Sequence, residues 1–279
     1  MGEAIVVGIT DAAVTRRAVD WAAQRAAETR RPLELLAVVG GAVGTVGEDS
    51  IVEAALAQAR ESAEGEAARV AGHGFEIRTR VDRGNPVSKL LDASADAALL
   101  VIGSDYRGPG SKTARGAHGL RIAAGAHCPV VVVPDIDTAG RSGVVVGVDG
   151  SPAGEKAVAF AAAEADRLRE PLIAVSVWTP LEVPRNMGVY PVEYLENLAR
   201  LTEESLGISL AGLRSQYPDL EIDPRVERGY PSQIINELAA DARLAVVGSH
   251  GRGALARFLL GSISQEVLAR LATVTAVVR

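Results

Sequence analysis

The chain repeats itself. Ile5-Val6-Val7-Gly8 in the first half matches Val144-Val145-Val146-Gly147 in the second, and the same offset brings Pro32 onto Pro171 and Val38 onto Val177. Farther along, Arg83-Gly84-Asn85-Pro86 matches Arg228-Gly229-Tyr230-Pro231 at a slightly larger offset, which also superposes Gly103 on Gly248 and Gly116 on Gly261. Self-similarity over half a chain means one structural unit used twice, and 279 residues are enough for each copy to bury its own core. The change of offset places a short insertion in the second copy, between Trp178 and Arg225. Residues 134–143 form a polar stretch with proline and glycine between two valine runs and read as the linker. The expected domains are therefore 1–140 and 141–279.

Within each copy, short valine-rich runs alternate with longer stretches of helical periodicity. In the second copy, residues 144–148 read as a buried strand, and Ser151-Pro152 supplies an N-cap and a first-turn proline for a helix through about Arg169. Residues 172–177 follow as a strand, and a polar-faced segment ends near Tyr217-Pro218. Residues 223–226 make a third strand, and Pro231 opens a helix carrying Ile234, Ile235, Leu238 and Ala239. Residues 244–247 form a fourth strand, 263–271 a helix and 274–278 a fifth strand. Strands that are apolar on both faces and separated by helices imply an α/β fold of two tandem Rossmann-like domains, each a doubly wound, five-stranded, mostly parallel sheet. Ligands in such sheets bind beyond the C-terminal strand ends, where strand order reverses.

Composition removes several classes of function. With 48% hydrophobic and 23% charged residues and no long polar tract, the chain is globular rather than disordered. A net charge of −6 speaks against general binding to nucleic acid or to acidic membrane surfaces. No apolar run approaches the roughly 20 residues that span a bilayer. Cys128 is the single cysteine, so no intramolecular disulfide forms and a buried thiol is expected. The histidines at 73, 118, 127 and 250 show no metal-ligand spacing with cysteine or carboxylate, so no zinc is expected. The N-terminal residues run into the strand at 4–7 without a signal-peptide pattern, which makes cytoplasmic residence the default expectation.

Chemistry concentrates after the strand at 244–247. Gly248-Ser249-His250-Gly251 is followed by nine residues and then Gly261-Ser262, which opens a helix. Glycine leaves no Cβ between backbone and ligand and tolerates positive φ, so Gly248 and Gly251 suit a close approach to phosphate or ribose. The amides at the start of the following helix, around Ser262, Ile263 and Ser264, offer an anion site that the helix dipole favours by ~0.3–1 kcal/mol. Ser262 and Ser264 add hydroxyl donors, and His250 and Arg252 are placed to meet phosphate or ribose oxygens. Each element alone is an ordinary turn or cap; the combination of strand, paired glycines, fixed gap, Gly-Ser and helix is a plausible triphosphate cradle.

At these residues the chain resembles the universal stress protein family. Val146-Gly147-Val148-Asp149-Gly150-Ser151 is similar to the family's opening strand and turn, Val246-Val247-Gly248-Ser249-His250-Gly251 to its nucleotide loop, and Ala276-Val277-Val278 to its last strand. The resemblance covers nearly all of both copies. It implies that the second copy binds ATP with Mg2+, with Asp149 near the ribose end, the main chain of Val177 at the adenine, and Gly248, Gly251, Gly261 and Ser262 on ribose and phosphates. Read from the residues alone, Asp149 is equally a helix-capping carboxylate, and Val177 a core valine. The candidate ligand residues are thus Asp149, Val177, Gly248, His250, Gly251, Arg252, Gly261, Ser262, Ile263 and Ser264.

The first copy departs from this pattern. Thr10 replaces the aspartate, Tyr106 the second glycine and Ala117 the serine. If the second-glycine position needs positive φ, a tyrosine there costs roughly 1–2 kcal/mol. Adjacent Asp11 points to the opposite face of an extended segment and does not replace the lost carboxylate. Arg107, Lys112, Arg115, His118 and Arg121 make the same region basic, which reads as a solvated charged surface. The first copy is therefore expected to bind ATP weakly or not at all and to support the second.

Three functions remain at this stage: an ATP-binding regulator of a stress response, a slow ATP hydrolase, and an interaction scaffold without ligand. Residues 108–113 resemble a P-loop, but the glycine immediately before Lys112 is missing, and no kinase-type or Ser-His-acid constellation is assignable. The regulator is expected, with an adenine nucleotide as ligand, no catalytic residues and no protein-held metal. The apolar runs at 130–133 and 274–278 would leave long sheet edges if unpaired. Their mutual pairing as an internal pseudo-dimer, with further association of two chains, is the expectation that the family suggests. The insertion around Met187 and Tyr190 is a candidate cover for the nucleotide or a partner contact.

Overall fold

The structure, a computed structural model, describes residues 3–40, 49–72, 74–104, 117–180, 192–251 and 260–279. The chain divides into two compact units, Met1–Asp137 and Thr138–Arg279.

The first unit runs β1 (Ile5–Ile9), α1 (Val14–Thr29), β2 (Leu33–Val39), α2 (Asp49–Arg69), β3 (Ile77–Arg83), α3 (Pro86–Ser94), β4 (Leu99–Ser104), α4 (Ala117–Gly125) and β5 (Val130–Pro134). The second runs β6 (Val144–Gly147), α5 (Pro152–Leu168), β7 (Leu172–Trp178), α6 (Val192–Ser209), α7 (Leu213–Gln216), β8 (Ile222–Arg228), α8 (Pro231–Ala239), β9 (Leu244–Gly248), α9 (Ser262–Arg270) and β10 (Val274–Val278). Strands in the first unit lie side by side in the order β3-β2-β1-β4-β5, and in the second in the order β8-β7-β6-β9-β10, every pairing parallel. These are Rossmann-like doubly wound sheets. The order reverses between β1 and β4, and again between β6 and β9, which opens a crevice at the carboxyl ends of those strands.

The valine runs become central strands because parallel sheets with helices on both faces bury each residue. Val144, Val145 and Val146 of β6 and Val246 of β9 are fully buried. The outer strands β3 and β8 follow a different rule. Both are partly exposed and alternate charge, as in Asp223, Arg225 and Glu227, with Arg225 paired to Asp223 at 2.7 Å. Pro224 lies within β8, which its edge position tolerates.

The helices start and stop where local chemistry dictates. Ser151 caps α5, its Oγ accepting the Gly154 amide at 3.0 Å, and Pro152 opens the first turn. Arg169 closes the helix in a left-handed conformation at φ 55°. One stripe of α5, comprising Ala157, Val158, Ala161, Ala162 and Ala165, is buried, and the helix packs on β6, β9 and β10. On α8, Ile235 and Ala239 are buried, and that helix packs on β6, β7 and β9. The polar segment expected to end near Tyr217 is two helices, α6 and α7, broken at Gly212, whose φ of 86° favours glycine.

Candidate functional site

In the second unit, β6 ends at Gly147 and the chain turns through Val148 and Asp149 into the cap of α5. Asp149 Oδ1 accepts hydrogen bonds from the Ser151 amide at 3.0 Å and from Ser151 Oγ at 2.7 Å. Its Oδ2 has no hydrogen-bond partner among the described residues. Two glycines bracket this carboxylate. A Cβ on Gly154 would collide with Oδ1, and a Cβ on Gly251 would stand 2.9 Å from Oδ2. Asp149 therefore holds the turn with one oxygen, as its reading as a capping carboxylate expects.

The glycine loop leaves β9 on the other side of the crevice. A Cβ on Gly248 would lie 3.0 Å from the carbonyl carbon of Ala153 and 3.1 Å from the Gly154 nitrogen, so the strand end presses on the first turn of α5. The loop is pinned by the Ser249 amide donating to the Val278 carbonyl at 2.6 Å and the Gly261 amide donating to the Ser249 carbonyl at 2.8 Å. None of Gly248, Gly251 and Gly261 has positive φ. A left-handed backbone plays no part at these positions, and close approach does: Gly248 is crowded by main chain of α5 and Gly251 by the tip of the Asp149 side chain.

Gly261 is the N-cap of α9 and has no side chain to offer its helix. The amides of Ser262, Ile263 and Ser264 lack intrahelical acceptors by geometry, and the first helical bond runs from the Gln265 amide to the Gly261 carbonyl at 2.9 Å. Ser264 is buried and its hydroxyl donates to the Gly248 carbonyl at 2.5 Å, so its proton is committed to the loop rather than free for a ligand. His250 Nδ1 lies 2.9 Å from Ser249 Oγ, while its buried Nε2 has no partner among the described residues.

These elements enclose a cavity of about 560 Å3, within the usual range for a small-molecule site. Asp149, Val177, Gly248, His250, Gly251, Gly261, Ser262, Ile263 and Ser264 all line it. Arg252 lies outside the described residues, as do 108–113, Met187 and Tyr190. The cavity is lined by polar groups of the glycine loop and α9 and also by apolar Val175, Val177, Pro231 and Ile235. Val175, Pro231 and Ile235 were not singled out from the sequence as ligand contacts. Their signal was present in the strand run and the α8 periodicity, but only the fold shows which face turns to the crevice.

The first unit handles the corresponding strand end differently. Thr15 stands where the repeat puts Gly154, and its Oγ1 accepts the Thr10 amide at 3.0 Å, lies 3.1 Å from Thr10 Oγ1 and donates to the Thr10 carbonyl at 2.9 Å. The polar groups there satisfy one another. Asp11 is exposed, as are His118 and Arg121 on α4. Tyr106, Arg107, Lys112 and Arg115 lie outside the described residues, and so does Gly116.

Comparison with known proteins gives the lineage. The model of the universal stress protein family matches residues 1–134 and again 141–279. The chain belongs to the universal stress protein family. A universal stress protein of Mycolicibacterium smegmatis is 33% identical over 288 residues, spanning 99% of this chain and 96% of the relative. A second, from Mycobacterium tuberculosis, is 32% identical over 290 residues, spanning 98% of this chain and 95% of its own length. The fold is also that of a crystal structure of a universal stress protein from Archaeoglobus fulgidus, with a TM-score of 0.73 at 16% identity, covering 100% of this chain and 98% of the other. Two family matches in one chain make this universal stress protein a tandem member. Among its described residues, no helix is long and apolar enough to cross a membrane.

Proposed function

We propose that the C-terminal copy binds an adenine nucleotide, ATP with Mg2+, and that the protein acts as a nucleotide-dependent regulator in a stress response. The observation that carries this is the uncapped start of α9: Ser262, Ile263 and Ser264, whose amides have no intrahelical acceptor, line the same cavity as Gly248 and Gly251, whose missing side chains let the loop backbone approach a ligand. The apolar lining from Val175, Val177, Pro231 and Ile235 suits a flat heterocycle, and in this reading Asp149 Oδ2 takes a ribose hydroxyl. Among the described residues no cluster of three or more acidic, histidine or cysteine side chains could hold a metal ion. In this reading Mg2+ is held through phosphate oxygens and water, as this ion prefers.

Turnover is slow or absent in this account. No kinase-type or Ser-His-acid constellation is assignable in the sequence, and the reading asks no group of the cavity to activate water. The first copy, with Thr10 and Thr15 bonded to each other, takes the supporting role. The test is the mass of any small molecule released when the purified protein is denatured. ATP is expected; a preparation that releases no nucleotide and takes up none from millimolar Mg-ATP contradicts the proposal.

A further inference from the structure

Helix α8 contributes Pro231 and Ile235 to the cavity lining, and α9 contributes Ser262, Ile263 and Ser264. The two helices pack on each other, and a side-chain hydrogen bond joins them, the Ser232 hydroxyl donating to Glu266 Oε2. Ser232 directly follows Pro231 and is only 2% exposed, whereas Glu266 is exposed and lies one helical turn beyond Ser262. The turn carrying Ser232 is fixed in its own right, its carbonyl accepting from Nδ2 of buried Asn236 at 2.7 Å. The start of α9 is fixed as well, through the bond from Ser264 to the Gly248 carbonyl. The bond between Ser232 and Glu266 therefore connects two anchored segments and sets their spacing.

The repeat provides the contrast. At the offset that superposes Gly84 on Gly229 and Gly116 on Gly261, Val87 stands where Ser232 does and Arg121 where Glu266 does. Val87 is buried and has no proton to donate, and Arg121 is exposed on α4. There α3 meets α4 through apolar contact: the Leu91 side chain lies against Gly125, where an added Cβ would stand 3.0 Å from Leu91 Cδ1. Apolar packing tolerates small slides of one helix on another, while a satisfied hydrogen bond from a buried hydroxyl specifies one arrangement. The polar tie occurs in the copy whose glycine loop is complete.

We propose that Ser232 and Glu266 are positioning residues of the nucleotide site, which touch no ligand and set the distance between the lining that α8 supplies and the amides that open α9. This rests on the nucleotide reading above, in which the base meets Pro231 and Ile235 and the phosphates meet the start of α9. A ligand that reaches both helices gains from a spacing fixed in advance, because binding then has no helix motion left to arrest. A ligand that meets only one of them gains nothing.

Ser232→Ala removes the bond and leaves behind an exposed carboxylate that water solvates, so folding is little affected. Mg-ATP, adenosine and inorganic tripolyphosphate are titrated calorimetrically into the full-length protein and into Ser232→Ala, Glu266→Ala, Glu266→Gln and the double variant with alanine at both positions. In Ser232→Ala the affinity for Mg-ATP should fall about tenfold, the lower end for a hydrogen bond to a charged group, while adenosine and tripolyphosphate bind as they do to the parent. Glu266→Gln, whose amide oxygen still accepts the hydroxyl proton, should bind Mg-ATP more tightly than Glu266→Ala, and the double variant should bind no more weakly than the weaker single one. Unchanged Mg-ATP affinity in Ser232→Ala overturns the proposal and leaves the nucleotide site in place. Equal losses for all three ligands, additive losses in the double variant, or a Glu266→Gln variant no better than Glu266→Ala overturn it as well. A parent protein that binds no Mg-ATP removes the nucleotide reading and the positioning role together.

Discussion

One added methyl group at Gly251 should separate ligand binding from folding. The new Cβ would stand 2.9 Å from Asp149 Oδ2, the tip of a rotatable side chain, so the carboxylate swings aside at little structural cost. Doing so moves Oδ2 off the ribose hydroxyl proposed for it and holds the loop backbone away from the ligand. Hydrogen bonds to a charged group contribute about 1.5–3 kcal/mol, which translates to a loss of affinity of about 10- to 150-fold. Gly248→Ala is the counterpart. There the Cβ meets main chain, 3.0 Å from the Ala153 carbonyl carbon and 3.1 Å from the Gly154 nitrogen, neither of which can rotate away. Overpacking of that kind costs about 1–3 kcal/mol of stability. Calorimetric titration with Mg-ATP and a thermal melt of both variants check the pair. Gly251→Ala should melt within a degree or two of the parent and bind weakly, whereas Gly248→Ala should melt several degrees lower. Normal binding by Gly251→Ala, or a melting loss as large as that of Gly248→Ala, would refute the account of why these two glycines are present.

Other substitutions test the supporting structure. Ser151→Ala removes the cap of α5 and an anchor of Asp149, so stability should fall by about 0.5–2 kcal/mol in urea titrations and Mg-ATP should bind more weakly. Arg169 holds α5 closed at φ 55°. Arg169→Gly relieves a left-handed cost of about 1–2 kcal/mol against an unfolded-state penalty of about 0.5–1, for a net gain near 0.5–1 kcal/mol in the same titration. Burial pushes the Cys128 thiol up to about 11. Thiolate at pH 8 is then on the order of 0.1%, and alkylation by iodoacetamide should proceed at an ordinary rate only in denaturant.

Much of the fold was legible because local and global signals agree. The valine runs that became β6, β9 and β10 are buried on both faces, and Ser151-Pro152 and Pro231 start α5 and α8 where capping rules put them. Legibility failed where a residue's reason is set by distant partners. The charged alternation of β8 obscured its full extent, because an edge strand needs no continuous apolar run. Gly212 breaks what read as one polar segment. The glycine loop could be found by spacing, yet the groups of the chain itself that crowd it could not, since Asp149 and Ala153 lie about a hundred residues away. Thr15 passed unnoticed for the same reason: its bond to Thr10 gains meaning only beside the Asp149 and Gly154 pair of the other copy.

The most direct measurement is the number of nucleotides bound per chain. Titration of Mg-ATP into the intact, nucleotide-stripped protein should saturate at one equivalent, with heat lost in the Gly251→Ala variant and retained when Thr10 is changed to alanine. Saturation at two equal sites, or no uptake at millimolar Mg-ATP, would contradict the assignment of the ligand to the cavity between Asp149 and the start of α9.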